Sequence, residues 1–129
     1  MADCPCGSGM TYAACCGLLH AGKPAPDAEA LMRSRYSAYV LRLEPYLLAT
    51  WHPRTRPRSL DFSAGPATGW LGLEVRRHDP VDADHAVVEF VARYKINGRA
   101  YRLHETSRFV HEGNRWYYVD GKLDPADMR

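Results

Sequence analysis

His85-Ala86-Val87-Val88-Glu89-Phe90-Val91-Ala92-Arg93-Tyr94-Lys95-Ile96-Asn97-Gly98-Arg99-Ala100-Tyr101-Arg102-Leu103-His104-Glu105 is the stretch that decides the fold. Ala86, Val88, Phe90, Ala92 and Tyr94 recur at every second position, which is the period of a strand buried on one face. Asn97-Gly98 suits a two-residue type I′ turn, in which both central residues take positive φ. That turn fixes the register. Ile96 faces Arg99, Tyr94 faces Tyr101, Ala92 faces Leu103 and Phe90 faces Glu105. Glu105 is therefore expected on the apolar face, where burial tunes the pKa of a carboxylate.

Upstream of the hairpin, Leu71, Leu73 and Val75 alternate with Gly72, Glu74 and Arg76 and read as a first strand, with Asp79 to Asp84 as a turn. Downstream, the third strand continues through Arg108-Phe109-Val110 and turns at Glu112-Gly113-Asn114. A fourth strand follows over Arg115 to Asp120, placing Trp116, Tyr118 and Asp120 on one face. Asp120-Gly121 closes it, and Leu123 to Arg129 reads as a tail.

The period before residue 70 is helical. Asp27 caps a helix whose apolar stripe is Ala28, Leu31, Met32, Tyr36, Tyr39 and Leu43. Arg35 falls inside that stripe and Arg33 points away from it. An arginine facing a core needs a carboxylate or several carbonyls, and Glu105 is the expected partner. Two roles stay open for the pair: a structural ion pair, or an anion-binding group in a pocket. Glu44-Pro45 starts a second helix over Tyr46 to Trp51, which His52-Pro53 ends. Arg54 to Thr68 is a loop. Arg35, Tyr39, Trp51, His52, Glu105 and Asp120 form the candidate pocket.

All four cysteines lie in Cys4-Pro5-Cys6 … Cys15-Cys16, the pattern C-x-C-x8-C-C. Four thiolates suit a tetrahedral zinc ion, and iron is accepted by the same donors. Adjacent cysteines share a metal only from a tight turn or a frayed helix end, and Gly17 is placed to supply a left-handed residue there. His20 is the reserve ligand. Residues 1–20 thus form a metal knuckle, 21–26 a Pro-rich linker and 27–129 the main domain. With 46% hydrophobic and 25% charged residues the composition is that of a soluble globular chain. No secretory signal or membrane span is visible, so the cytoplasm is the expected compartment, where clustered cysteines favour metal over disulfides. Counting four thiolates and one divalent cation brings the formal charge of +2 to zero, which argues against nucleic acid as a partner.

The knuckle resembles the SEC-C zinc motif. Leu31-Met32-Arg33-Ser34-Arg35-Tyr36-Ser37-Ala38-Tyr39, with Tyr46-Leu47, Thr50-Trp51-His52-Pro53, Trp70-Leu71-Gly72-Leu73, Ser107-Arg108-Phe109 and Trp116-Tyr117-Tyr118-Val119-Asp120-Gly121, resembles the YchJ-like family of uncharacterised bacterial proteins. The resemblance implies an α+β fold like nuclear transport factor 2, a cone in which helices pack into the hollow of a curved antiparallel sheet and the hollow often holds a ligand. It also implies a protein or ribosomal partner for the knuckle. Where many such motifs carry lysines, this chain has Met10-Thr11-Tyr12-Ala13-Ala14, which weakens a charge-driven contact. Some relatives carry a second knuckle after the sheet, and none is expected here. The function expected is a zinc-binding adaptor or binding protein whose cone holds a small ligand. The alternatives are an enzyme using Glu105 or Asp120 as acid and base, with Arg35 and Tyr39 orienting an anion, or a thiol- or metal-handling protein. Against an enzyme, no nucleophile with a positioned base is recognisable.

Overall fold

The computed structural model describes residues 3–60, 62 and 68–123. The expected tail beyond Leu123 and most of the second half of the expected loop lie outside the described residues. Four strands, β1 (Thr68–Asp82), β2 (His85–Ile96), β3 (Arg99–Glu112) and β4 (Arg115–Leu123), form one antiparallel sheet in sequence order. Asn97 and Gly98 take φ of 52° and 78°, as the type I′ turn requires. Every pair expected across this hairpin is present, including Phe90 opposite Glu105, with no register shift.

The outer strands depart from expectation. β1 runs on through Asp79 and Pro80, leaving only Ala83 and Asp84 as the turn. Proline is tolerated because β1 is an edge strand, and three register shifts along it add twist. β4 continues past Gly121 to Leu123. A shift opposite Arg108 and Phe109 leaves Val119 as an extra residue, so Phe109 pairs with Tyr118 but Arg108 pairs with Asp120. Asp120 is thereby turned to the face opposite Tyr118.

Helix α2 (Ala28–Leu41) starts at Asp27, whose side chain accepts the Ala30 N–H at 2.8 Å. It ends at Arg42, in the left-handed region at φ 58°, before the expected Leu43. Leu43 instead caps α3 (Glu44–Ala49), which has Pro45 in its first turn. Trp51 is outside that helix. Trp51 forms a parallel bridge to Tyr118 of β4: the His52 N–H donates to the Tyr118 carbonyl at 2.7 Å and the Tyr118 N–H to the Thr50 carbonyl at 2.9 Å. Ala28, Leu31, Met32 and Tyr36 of α2 pack on Ala86, Val88, Phe90, Ala92 and Phe109 to make the core. No helix among the described residues is long and apolar enough to cross a membrane.

The knuckle packs on the main domain. With a single 3₁₀ turn (Tyr12–Ala14) and α1 (Cys16–His20), it seats on the side of α2 that carries Arg33, Ser34 and Ser37. Arg33 Nη1 donates to the Cys6 carbonyl at 3.0 Å, and His20 Nε2 bonds the Ser34 carbonyl at 2.8 Å. Leu73 of β1 packs against the cysteines, and Ala25 of the linker packs on the main core.

Gly121 leaves room for the Glu105 side chain. A Cβ there would overlap the Glu105 side chain, with Cγ at 2.9 Å. Gly121→Ala is expected to cost roughly 1–3 kcal/mol, the usual range for overpacking. In a Glu105→Ala background most of that cost should vanish, measured by denaturant titration of both single variants and the double variant. Additive costs would show that this contact is not the reason for the glycine.

Candidate metal centre and ligand cavity

The four cysteine sulfurs all lie within 4.8 Å of one another, with Cys6 to Cys15 at 3.6 Å and Cys15 to Cys16 at 4.0 Å. A tetrahedral ion with metal–sulfur bonds of about 2.3 Å needs sulfurs about 3.8 Å apart, so the donor set fits. The chain backbone brings this about. Asp3 and Thr11 pair across a small hairpin that brings Cys4 and Cys6 together, with Gly7 and Gly9 at positive φ. Cys15 sits at the junction of the 3₁₀ turn and α1 with ψ of −114°, which lets two adjacent side chains converge. Gly17 is not left-handed as expected. It lies within α1, where a Cβ would come within 2.7 Å of the Tyr12 carbonyl.

Cys4, Cys6 and Cys16 are buried, and Cys15 is half-buried with Ser8 Oγ at 3.2 Å. Ser37 of α2, itself fully buried, places Oγ 3.6 Å from the Cys4 sulfur. The thiols are unequal without a cation. The hydrogen bond from Cys16 pulls Cys6 down to about 4 against the effect of burial, while Cys16, as the donor, is pushed up. A divalent ion removes that inequality by ionising all four. His20 is not positioned as a ligand: Tyr12 Oη lies 2.6 Å from Nδ1, and Nε2 is held by Ser34.

On its opposite side α2 roofs a cavity of about 170 Å³. Met32, Tyr36, Trp70, Phe90, Ala92, Leu103 and Phe109 give it apolar walls, and Arg35, Tyr39, Glu105, Ser107 and Tyr118 supply polar atoms. Arg35 is only 6% exposed. Its Nη1 donates to the Leu47 carbonyl at 2.8 Å and to Thr50 Oγ1 at 2.7 Å, while the Thr50 hydroxyl donates onward to the Tyr46 carbonyl. The guanidinium carbon lies 4.6 Å from the Tyr118 ring centre and 5.1 Å from that of Trp51, within cation–π range. Burial raises the pKa of Tyr39 and of Tyr118, and the Arg35 charge opposes the rise in both.

The candidate pocket residues separate into two groups. Arg35, Tyr39 and Glu105 line the one cavity, and Trp51 stands behind the guanidinium. The expected Arg35–Glu105 ion pair is not formed; the backbone and hydroxyl acceptors of α3 satisfy Arg35, and Glu105 accepts from Ser107 Oγ. Asp120 is away from the cavity in an exposed two-bond pair with Arg108, because the extra residue at Val119 reverses its face. His52 is also elsewhere, with Nε2 3.1 Å from Glu112 and Nδ1 accepting from the Arg54 N–H. Ser107 and Tyr118 were missed as cavity residues. Their signal was present: Ser107 is two residues after Glu105 on the same strand face, and Tyr118 is brought to that face by pairing with Phe109.

A sheet whose concave face and roofing helix enclose a cavity, with a four-cysteine knuckle on the far side of that helix, defines a cone domain of the nuclear transport factor 2 type with a metal-binding motif fused to it. The chain belongs to the YchJ-like family: residues 27–121 match the family model described as YchJ, middle NTF2-like domain, and residues 2–18 match the SEC-C motif. It is 57% identical to a UPF0225 protein of Polaromonas naphthalenivorans over 92% of this chain and 95% of the relative. It is likewise 57% identical to a UPF0225 protein of Ralstonia nicotianae over 95% and 92%. Among solved structures it is similar to a SEC-C motif containing protein from Rhodopseudomonas palustris, with TM-score 0.83 and 35% identity over 95% of this chain and 99% of that one. A second, from Psychrobacter arcticus, gives TM-score 0.74 and 33% identity over 94% and 82%.

Because the knuckle shares α2 with the cone, metal removal is expected to destabilise both together. Adding a strong chelator should lower a single melting transition by roughly 5 °C or more, read in parallel by far-ultraviolet circular dichroism and tryptophan fluorescence. A sheet transition that does not move would mean that the α2 contacts transmit no stability.

Proposed function

We propose that this protein is a zinc-stabilised small-ligand-binding protein in which the metal is structural and the cone is the working part. The observation that carries this reading is the double use of α2: Ser34 and Ser37 on one side seat the knuckle, while Arg35 and Tyr39 on the other line the cavity. Four cysteine donors leave no open coordination position, which favours a structural role over Lewis-acid chemistry or metal exchange. Zinc is favoured over iron because a closed tetrathiolate site requires no redox activity of its ion. The cavity combines apolar walls with a few convergent polar groups, the usual make-up of a ligand site.

Binding is favoured over catalysis. Among the described residues lining the cavity, Glu105 is the only carboxylate, and the side-chain hydroxyl bonded to it, that of Ser107, has no histidine or lysine base beside it. The knuckle keeps an outward surface on which Met10 and Leu18 are exposed, and a protein partner would meet it there. The loss of lysines in this stretch makes an apolar contact a better fit than an acidic or ribosomal one.

Elemental analysis of protein purified without added metal should give one zinc per chain and no visible absorbance. A red protein containing stoichiometric iron would overturn the assignment of the metal. Cys16→Ser should release the ion or weaken its retention by about tenfold or more, read by competition with a chromogenic chelator.

A further inference from the structure

The cavity carries a more specific message in the unfilled valences of its two charged residues. Arginine has five N–H donors, of which the two on Nη1 are used by Leu47 and Thr50. The Tyr39 hydroxyl also interacts with the guanidinium, and no other described side chain or carbonyl accepts from Nε or Nη2. Nor are they sealed in, since Trp51 Nε1 is the one fully buried, unpartnered side-chain polar atom among the described residues. The Nε–Nη2 edge is the side of the guanidinium that presents two parallel donors, matching a carboxylate in a bidentate pair. No carboxylate of the described chain lies within ion-pair distance of it. The guanidinium is meanwhile fixed by its Nη1 bonds and by the Tyr118 and Trp51 rings, so this edge is pre-oriented, with the Tyr39 hydroxyl beside it as a further donor.

Glu105 supplies the second requirement. Its Oε2 accepts from Ser107 and lies over Gly121, and the residue lines the same cavity as Arg35. A negative group at that position disfavours a ligand of charge −2 such as phosphate and favours a monoanion that offers a hydrogen-bond donor at its other end. The walls between the two groups include the rings of Tyr36, Trp70 and Phe90. A dry cavity of about 150 Å³ is known to hold benzene, so a volume of about 170 Å³ suits a single six-membered ring.

We infer that the cone binds a small planar monocarboxylate, with its carboxylate on the Nε–Nη2 edge of Arg35, its ring between the aromatic walls and a hydroxyl or amino donor directed to Glu105. This rests on the proposed role of the cone as a ligand site and adds to it the chemical class. The orientation follows from charge: reversing the ligand would set two carboxylates against each other and leave the guanidinium edge empty.

The test uses the full-length chain with its metal and four probes: 4-hydroxybenzoate, benzoate, the neutral 4-hydroxybenzamide and inorganic phosphate. Titrations are followed by nitrogen–proton correlation spectra that include the arginine Nε–H signals. 4-Hydroxybenzoate is expected to shift the Arg35 Nε–H signal and the Glu105, Ser107 and Tyr118 amides, and to bind more tightly than benzoate. Neutral amide and phosphate should leave those signals in place. Arg35→Lys keeps the charge but removes the two-donor edge and should weaken 4-hydroxybenzoate by about tenfold or more. Glu105→Gln should erase the preference for the hydroxylated probe.

If the acid and the amide bind equally well in the cavity, the monocarboxylate class is overturned while the ligand-site reading stands. If none of the four probes shifts a cavity signal, the inference is overturned, and the ligand-site reading is then decided by whether a neutral apolar ring such as indole enters. Should Arg35→Lys fail to fold, Leu103→Trp provides the second variant, since it fills the cavity and leaves Arg35 intact. Unchanged 4-hydroxybenzoate binding by folded, metal-replete Leu103→Trp would place the site elsewhere and overturn the inference.

Discussion

A helix with two opposite buried faces is the constraint on which this structure depends. An ordinary surface helix buries one apolar stripe and leaves the other side to water. α2 cannot, because the cysteine knuckle lies along one side and the sheet lies along the other. The two sides are chemically different. Toward the sheet it presents Leu31, Met32 and Tyr36, large enough to fill a core. Toward the knuckle it presents Ser34, whose carbonyl bonds His20, and Ser37, whose hydroxyl meets Cys4, both small enough for close approach. Arg33 and Arg35, two residues apart, leave on different sides. One bonds the knuckle backbone and the other enters the cone.

This explains both what was legible in the sequence and what was not. The hairpin register was legible because Asn97-Gly98 admits few turn geometries and each side chain's face follows by alternation. Glu105 could therefore be assigned to the cavity with no knowledge of the rest of the fold. Alternation failed at Asp120 because one extra residue, Val119, reverses every later side chain, and β-bulges have no distinct sequence signal here. His52 follows Trp51 in sequence but not into the cavity, because a chain that leaves a helix to run beside a strand turns successive residues to opposite sides.

The docking of the knuckle was illegible for a different reason. Periodicity arguments detect apolar stripes, and a face built from serines leaves no such trace. Ser34 and Ser37 are fully buried, yet by hydropathy they read as the wet side of the helix. The partner of Arg35 was misjudged because charge complementarity suggested Glu105, whereas the end of α3 offers a carbonyl and a hydroxyl at closer range. A helix end has unpaired carbonyls to offer, and a buried guanidinium is well suited to them.

The position of the knuckle against Leu73 has a further meaning for the chain as a material. β1 is an outer strand, and an outer strand carries unpaired backbone groups that invite a second molecule to add on. Pro80 and the register shifts along it blunt this edge, and the knuckle packs against it at Leu73. The knuckle thus covers part of Leu73 on the outer strand, and the cysteine cluster and the margin of the sheet form one continuous surface.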